Sequence, residues 1–242
     1  MKTPAETYQQ MKTAALKFMI EDAQLSDYLA IKLVQGAESN AYQCIREQDD
    51  EGLEMPPREA VLGVVGLSLD VLMIELAPDA DESMRARLVQ GYKDAYMTLR
   101  AEQGGAVSSP LYDGARAAIE ALHAQPDTLL GVATGKSKRG LDKLIEAHGL
   151  EGLFVTQQVA DFHPSKPHPA MLLEALHETG VEACDAVMVG DTSFDMDMAQ
   201  AAGITGIGVS WGYHPMARLG AAQHMLERFD ALPALLNDIW EG

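Results

Sequence analysis

The stretch from Ala186 to Gly212, AVMVGDTSFDMDMAQAAGITGIGVSWG, constrains the fold more than any other part of this chain. An apolar run, Ala186 to Val189, ends at Gly190 and gives way to two acids, Asp191 and Asp195. The pattern then becomes helical through Met196, Met198 and Ala199, stops at Gly203, and resumes as a second apolar run from Ile204 to Val209. That order is strand, acidic loop, helix, strand. In an α/β protein the loop after a parallel strand lies at the carboxyl edge of the sheet, where ligands bind. Two carboxylates four residues apart at such an edge suit a hard cation such as Mg²⁺, which takes oxygen ligands and shares them with phosphates. Asp191 could equally cap the following helix, since Asp at a helix start satisfies free N–H groups.

The same alternation runs through the second half of the chain. Helices are expected over Ala115 to His123, Lys138 to His148 and Pro167 to His177, with a terminal helix from Met225 to Trp240. Strands are expected over Thr128 to Ala133 and around Phe154 to Val159. Such βαβα order implies a Rossmann-like, three-layer α/β core, a parallel sheet with helices on both faces. Right-handed crossovers would bring the carboxyl ends of the strands to one edge. Between Pro56 and Arg100 the pattern is helical throughout: Arg58 to Val65, Leu69 to Leu76 and Asp81 to Leu99, with Gly66-Leu67-Ser68 interrupting. This block reads as a helical cap or as a helical edge of a single domain. The division expected is a core of residues 1–35 and 104–242 with a cap of residues 36–103 inserted near the N-terminus.

Composition removes several function classes. The chain carries 36 acidic and 18 basic side chains, a net charge of −18. A general nucleic-acid or anionic-membrane surface is therefore not expected, because phosphate binding on that scale needs clustered Lys and Arg. Neither a membrane-spanning run nor a secretory leader is evident, so a soluble cytoplasmic protein is the expectation. Two cysteines, Cys44 and Cys184, are too few for a disulfide framework or zinc cluster.

Two further strand ends carry polar groups that complement the acids. Thr134 follows an apolar strand directly, so its hydroxyl and the N–H groups around Gly135 can face an anion. Lys166 sits in Pro164-Ser165-Lys166-Pro167-His168-Pro169, a loop stiffened by three prolines, where a lysine can neutralise a phosphate. Taken singly, each also has a plain reading as a turn or a solvated loop lysine.

In this order, Leu130 to Gly135, Ser165-Lys166-Pro167, and Val189-Gly190-Asp191 with Asp195 resemble the second, third and fourth motifs of the haloacid dehalogenase superfamily. The nearest branch is that of phosphoglycolate-phosphatase-like hydrolases. The gaps of 32 residues from Thr134 to Lys166 and 25 from Lys166 to Asp191 are similar too. The helical block resembles that branch's inserted cap, and Gly66-Leu67-Ser68 its substrate-facing loop. The resemblance implies a Mg²⁺-dependent phosphatase acting on a small phosphorylated metabolite through an aspartyl-phosphate. Thr134, Gly135 and Lys166 would bind phosphate, and Asp191 and Asp195 would hold the metal.

The first motif of that family, a strand ending in Asp-x-Asp-Gly-Thr, does not occur here. Its best counterpart is Phe18 to Ser26, FMIEDAQLS, which puts Asp22 at the nucleophile and metal-bridging place and Gln24 at the general acid. That segment also reads as helix, with Met11, Ala15, Phe18, Leu25, Leu29 and Leu33 spaced for one face. Three expectations follow: a phosphatase impaired at its first motif, an inactive relative whose N-terminal helices associate into homo-oligomers, or an N-terminal segment foreign to the architecture. Trp211 to His214 is expected to pack beside the site, and the seven histidines show no metal-ligand spacing.

Overall fold

The computed structural model describes residues 56–241 apart from 104–105, 107–108, 110 and 127. The Asp22 segment and the strand-or-helix question at residues 7–50 lie outside the described residues.

The first three helices are α1 (Arg58–Gly63), α2 (Leu69–Leu76) and α3 (Glu82–Gln103). They surround a hydrophobic cluster of their own, with Val61, Leu72, Met73, Leu76, Leu88, Val89 and Tyr92 buried together. Met73 and Leu88 are fully enclosed. Removing such a side chain down to Ala typically costs about 2–5 kcal/mol, so this helical layer holds a packed cluster of its own.

The rest alternates strand and helix: α4 (Ala115–His123), β1 (Gly131–Thr134), α5 (Lys138–His148), β2 (Thr156–Val159), α6 (Ala170–Thr179), β3 (Val187–Gly190), α7 (Ser193–Ala202), β4 (Thr205–Val209), β5 (His224–Leu226) and α8 (Leu232–Glu241). Every pairing is parallel. Gly131 stands opposite Thr156 in the β1–β2 pair, Val187 opposite Thr205 in β3–β4, and Ile207 opposite His224 in β4–β5. Side chains alternate across the pleat. Val187 and Val189 join Leu130 against Leu122, Leu232 and Leu236 of α4 and α8. Met188 joins Ala133 against Met171 of α6 and Met198 and Ala199 of α7. The three-layer parallel α/β core expected from the alternation is thus observed.

One expectation is corrected. Met225 does not open a terminal helix. His224-Met225-Leu226 pairs with β4, and helix α8 starts only at Leu232. A three-residue edge strand has no periodicity of its own, and ladder pairing with β4 outweighs the helical spacing that Met225 shares with the residues beyond it.

Among the described residues the strands form two sheets, β1–β2 and β3–β4–β5. Strands β1 and β3 are covered by the same helical layers on both faces, yet neither has a described partner on the edge facing the other. A cavity of about 1190 Å³ is lined by Ala133 and Thr134 of β1 and by Met188, Val189 and Gly190 of β3, so it reaches into the space between them. Gly66 to Leu72, Tyr92 and Tyr96 line its other side.

Candidate active site

The acidic loop is built by the start of α7. Thr192 is the N-cap: its hydroxyl accepts from Asp195 N–H, while the Asp195 carboxylate accepts from Thr192 N–H at 3.1 Å, a reciprocal capping box. Thr192 Oγ1 also donates to Asp195 Oδ2 at 2.8 Å. The other oxygen, Asp195 Oδ1, accepts from Lys166 Nζ at 2.5 Å. Asp191 is therefore not the helix cap. Gly190 is required where it stands, since a Cβ there would lie 2.4 Å from Asp195 Cβ.

Asp191 is held from the other side by the loop after β4. Tyr213 N–H donates to Asp191 Oδ2 at 3.0 Å, and His214 N–H donates to the Asp191 carbonyl at 3.2 Å. His214 itself is buried, its Nδ1 accepting from Ser193 N–H at 2.9 Å and its Nε2 facing the Gly63 carbonyl at 3.2 Å. Burial, and secondarily the Arg218 charge, holds its imidazole below the usual range. His214 packs beside the site, as expected, and ties α1 to the start of α7.

The two carboxylates differ in character although both are buried. Burial pushes the Asp191 carboxyl up to about 7, with the neighbouring Asp195 charge adding to the rise. Burial opposes ionisation of Asp195 too, but the Lys166 ammonium and the Thr192 hydrogen bonds outweigh it and hold that carboxyl below the usual range.

Thr134 ends β1, with its hydroxyl accepting from Lys136 N–H at 3.2 Å. Gly135 packs under the Gly66-Leu67 turn. A Cβ on Gly135 would lie 2.7 Å from the Leu67 carbonyl and 2.8 Å from that of Gly66. Ser165, next to Lys166, accepts from Ser68 N–H at 2.8 Å, a second tie between the helical layer and the core. Thr134, Gly135, Lys166, Asp191 and Asp195, the site residues expected from sequence within the described region, all line the one cavity. Asp22 lies outside the described residues. Thr192 has no role in the sequence-based expectation, and Tyr213 and Ser165 enter it only as members of the Trp211 to His214 stretch and of the Lys166 loop. Thr192 carries a signal nonetheless, since Thr-x-x-Asp before an apolar helix is a capping-box pattern. Tyr213 acts through its backbone and carries none.

No group of three or more His, Cys, Asp and Glu residues that could hold a metal occurs among the described residues. The acid pair nonetheless suits a hard divalent cation, since Mg²⁺ is commonly bound by one or two carboxylates together with substrate phosphate. Asp191, buried and kept from ionising by a neighbouring carboxylate, is the group such a charge would favour most.

Residues 38–209 match the haloacid dehalogenase-like hydrolases. The chain belongs to that family. It is similar to the probable phosphatase IndB of Dickeya dadantii, with 36% identity over 71% of this chain and 74% of that protein. Identity to the phosphoglycolate phosphatase of Vibrio parahaemolyticus is 27%, over 77% of this chain and 78% of the other. The crystal structure of a predicted phosphoglycolate phosphatase from Haemophilus somnus shares the fold, with a TM-score of 0.66 at 21% identity over 86% of this chain and 89% of that one. These relatives bear out the resemblance to the phosphoglycolate-phosphatase-like branch and the α/β core. No described helix is long and apolar enough to cross a membrane.

Proposed function

We propose that this chain is a Mg²⁺-dependent phosphatase, cytoplasmic, acting on a small phosphomonoester, and slowed by its degenerate first motif. The observation that carries the reading is the convergence of Thr134, Lys166 and Asp191 on one cavity, with Lys166 fixed in place by Asp195. The phosphatases among its relatives support the same reaction class. Asp191 and Asp195 are the described residues that would hold Mg²⁺, with Asp22 the further ligand the first motif implies; such a cation would offset repulsion between carboxylates and phosphate. Asp195 already accepts from Lys166 and Thr192, so Asp191 would be the principal ligand and Asp195 would chiefly orient.

Lys166 and Thr134 bind phosphoryl oxygens as charge shifts during transfer. An Asp22 carboxylate oxygen attacks phosphorus in line, the bond to the leaving oxygen breaks, and water then hydrolyses the aspartyl-phosphate and frees Asp22. The leaving oxygen needs a proton, which Gln24 cannot give as a carboxylic acid can. Loss of such help typically costs about 10²–10⁴ in rate. The helical layer closes over the cavity as a cap and selects the leaving group.

A second reading rests on the absence of an Asp-x-Asp-Gly-Thr run from the sequence. If residues 1–55 supply no acid at the nucleophile place, the chain binds phosphate without cleaving it, and its N-terminal segment serves association with a second copy. Hydrolysis of p-nitrophenyl phosphate in Mg²⁺ by the parent, Asp22→Asn and Asp191→Asn chains decides between them. Slow turnover abolished by both substitutions is expected. Activity that survives Asp22→Asn moves the nucleophile elsewhere, and a folded but inactive parent establishes the second reading.

A further inference from the structure

His214 is enclosed where the helical layer meets the acid loop. Its Nδ1 accepts from Ser193 N–H at 2.9 Å, in the first turn of α7, with Ser193 Oγ 3.2 Å away. A backbone N–H can only donate, so Nδ1 carries no proton and the neutral ring bears its hydrogen on Nε2. Nε2 faces the carbonyl of Gly63, the last residue of α1, at 3.2 Å, and that oxygen is the acceptor it needs. The backbone N–H of His214 meanwhile donates to the Asp191 carbonyl at 3.2 Å. The Phe194 ring of α7 packs against the imidazole, with 5.3 Å between centroids. Two other contacts bring the same parts together. Arg218 reaches the Gly63 carbonyl from an exposed position at 3.5 Å, and Gly66 lies over Thr192, where a Cβ would come 3.1 Å from the hydroxyl oxygen.

We propose that His214 is a positioning residue that makes the geometry of the Asp191 to Asp195 loop depend on the seating of α1. The inference rests on the phosphatase reading for its consequence, since Asp191 is the principal metal-holding residue of that reading. One arrangement of a neutral imidazole satisfies both neighbours, with Nδ1 toward Ser193 and Nε2–H toward Gly63. If α1 leaves its place, Nε2–H is buried without an acceptor, which is disfavoured. The ring then turns, or its proton passes to the other nitrogen. In either case Ser193 N–H, one of the helix-start donors that no intrahelical carbonyl can satisfy, loses its acceptor. The ring holds the start of α7 and the His214 backbone holds Asp191, so the disturbance reaches the acid loop.

The test is a double-mutant cycle read by hydrogen exchange in the full chain without metal. Val61→Ala loosens α1 at one end, because Val61 is buried in the cluster of the helical layer, and the amides of residues 192–196 are followed at the other. In the parent background Val61→Ala should speed exchange at 192–196 by about five- to a hundredfold, the usual range of coupling between linked sites. His214→Asn keeps an acceptor near the place of Nδ1 but does not reach Gly63. In that background Val61→Ala should still speed exchange in α1 and leave 192–196 unchanged. His214→Gln, which reaches Gly63 but offers Ser193 no acceptor, should uncouple the two ends from the other side, and it decides the matter if His214→Asn does not fold. Arg218→Met should leave the full effect in place. A merely structural histidine would loosen its surroundings when replaced yet leave the effect of Val61→Ala undiminished. Exchange at 192–196 that ignores Val61→Ala in the parent background overturns the proposal. An effect that survives both His214 substitutions also overturns it and assigns the coupling to the packing of Gly66 on Thr192. The cycle uses neither turnover nor metal, so an inactive parent overturns the phosphatase reading while leaving the coupling to be judged by exchange.

Discussion

The two edges of the cavity are built on opposite terms. On the β3–α7 edge, Asp195 accepts from Lys166, from Thr192 N–H and from Thr192 Oγ1, while Asp191 is gripped by the loop that also carries His214. On the β1–α3 edge, Thr134 receives one backbone N–H, and the Tyr96 hydroxyl has no partner. The acid edge is thus arranged before any ligand arrives, which is what charge stabilisation in a transition state requires, since reorganising dipoles during reaction is costly. The other edge keeps the Tyr96 hydroxyl without a partner.

The sharpest way to break this comparison is Lys166→Met. It strands Asp195 as a buried carboxylate without its counter-charge, and breaking a buried ion pair from one side typically costs about 3–5 kcal/mol. Urea unfolding should show that loss, and Asp195→Asn added to Lys166→Met should recover much of it. If Lys166→Met alone costs less than about 1 kcal/mol, well short of what a stranded buried charge requires, the acid edge is not rigidly arranged.

An effect of the same order is expected from pH, because burial and the Asp195 charge raise the Asp191 carboxyl and its Tyr213 bond and the nearby Lys166 charge offset them only in part. Its carboxyl stands at about 7 in the folded chain against an ordinary 3.8. Between these values the folded state retains a proton that the unfolded chain has released, so stability declines as pH rises from about 4 to about 7. Asp195 acts in the opposite sense and lower: its contribution is intact above its ordinary 3.8 and is lost only as pH falls beneath that. Thermal midpoints taken from pH 4 to 8 without divalent cation should fall for the parent and stay flatter for Asp191→Asn. Added Mg²⁺ should remove most of the decline. Parallel slopes for the two chains would detach the pH dependence from Asp191.

Local signals and distant ones divide what is legible in the sequence. Helices α2, α4 and α5 lie where periodicity and their bounding residues put them, because amphipathic spacing and end signals act within a few residues. The Gly190 to Asp195 loop is legible for the same reason. Strand β5 is not, since three residues carry no period and the pairing that makes them a strand belongs to β4. Thr134, Lys166 and Asp191 stand out because each lies at an element boundary. Tyr96 reads in the sequence as one more residue on a helix, and its approach to Lys136, forty positions later, is visible only in the structure.

The finest test of the comparison sets two glycines against each other. Both admit no Cβ as they stand: at Gly190 the added atom meets Asp195 Cβ at 2.4 Å, and at Gly135 it meets the Leu67 carbonyl at 2.7 Å. Overpacking of this kind typically costs about 1–3 kcal/mol, the amount depending on whether the neighbour can yield. Asp195 is pinned by Lys166 and Thr192 and has nowhere to go, so Gly190→Ala should fall near the top of that range. The Gly66-Leu67-Ser68 turn blocks Gly135 with backbone carbonyls, but among the described residues it is held to the loop of Lys166 by the Ser68 to Ser165 bond rather than by a buried ion pair, so it can shift outward with part of the helical layer. Gly135→Ala should therefore lose only about 1 kcal/mol, the low end of the same range, while weakening phosphate binding by displacing the turn that lines the cavity. Equal losses on unfolding would mean that the β1–α3 edge is as rigid as the acid edge, and a larger loss for Gly135→Ala would reverse their order.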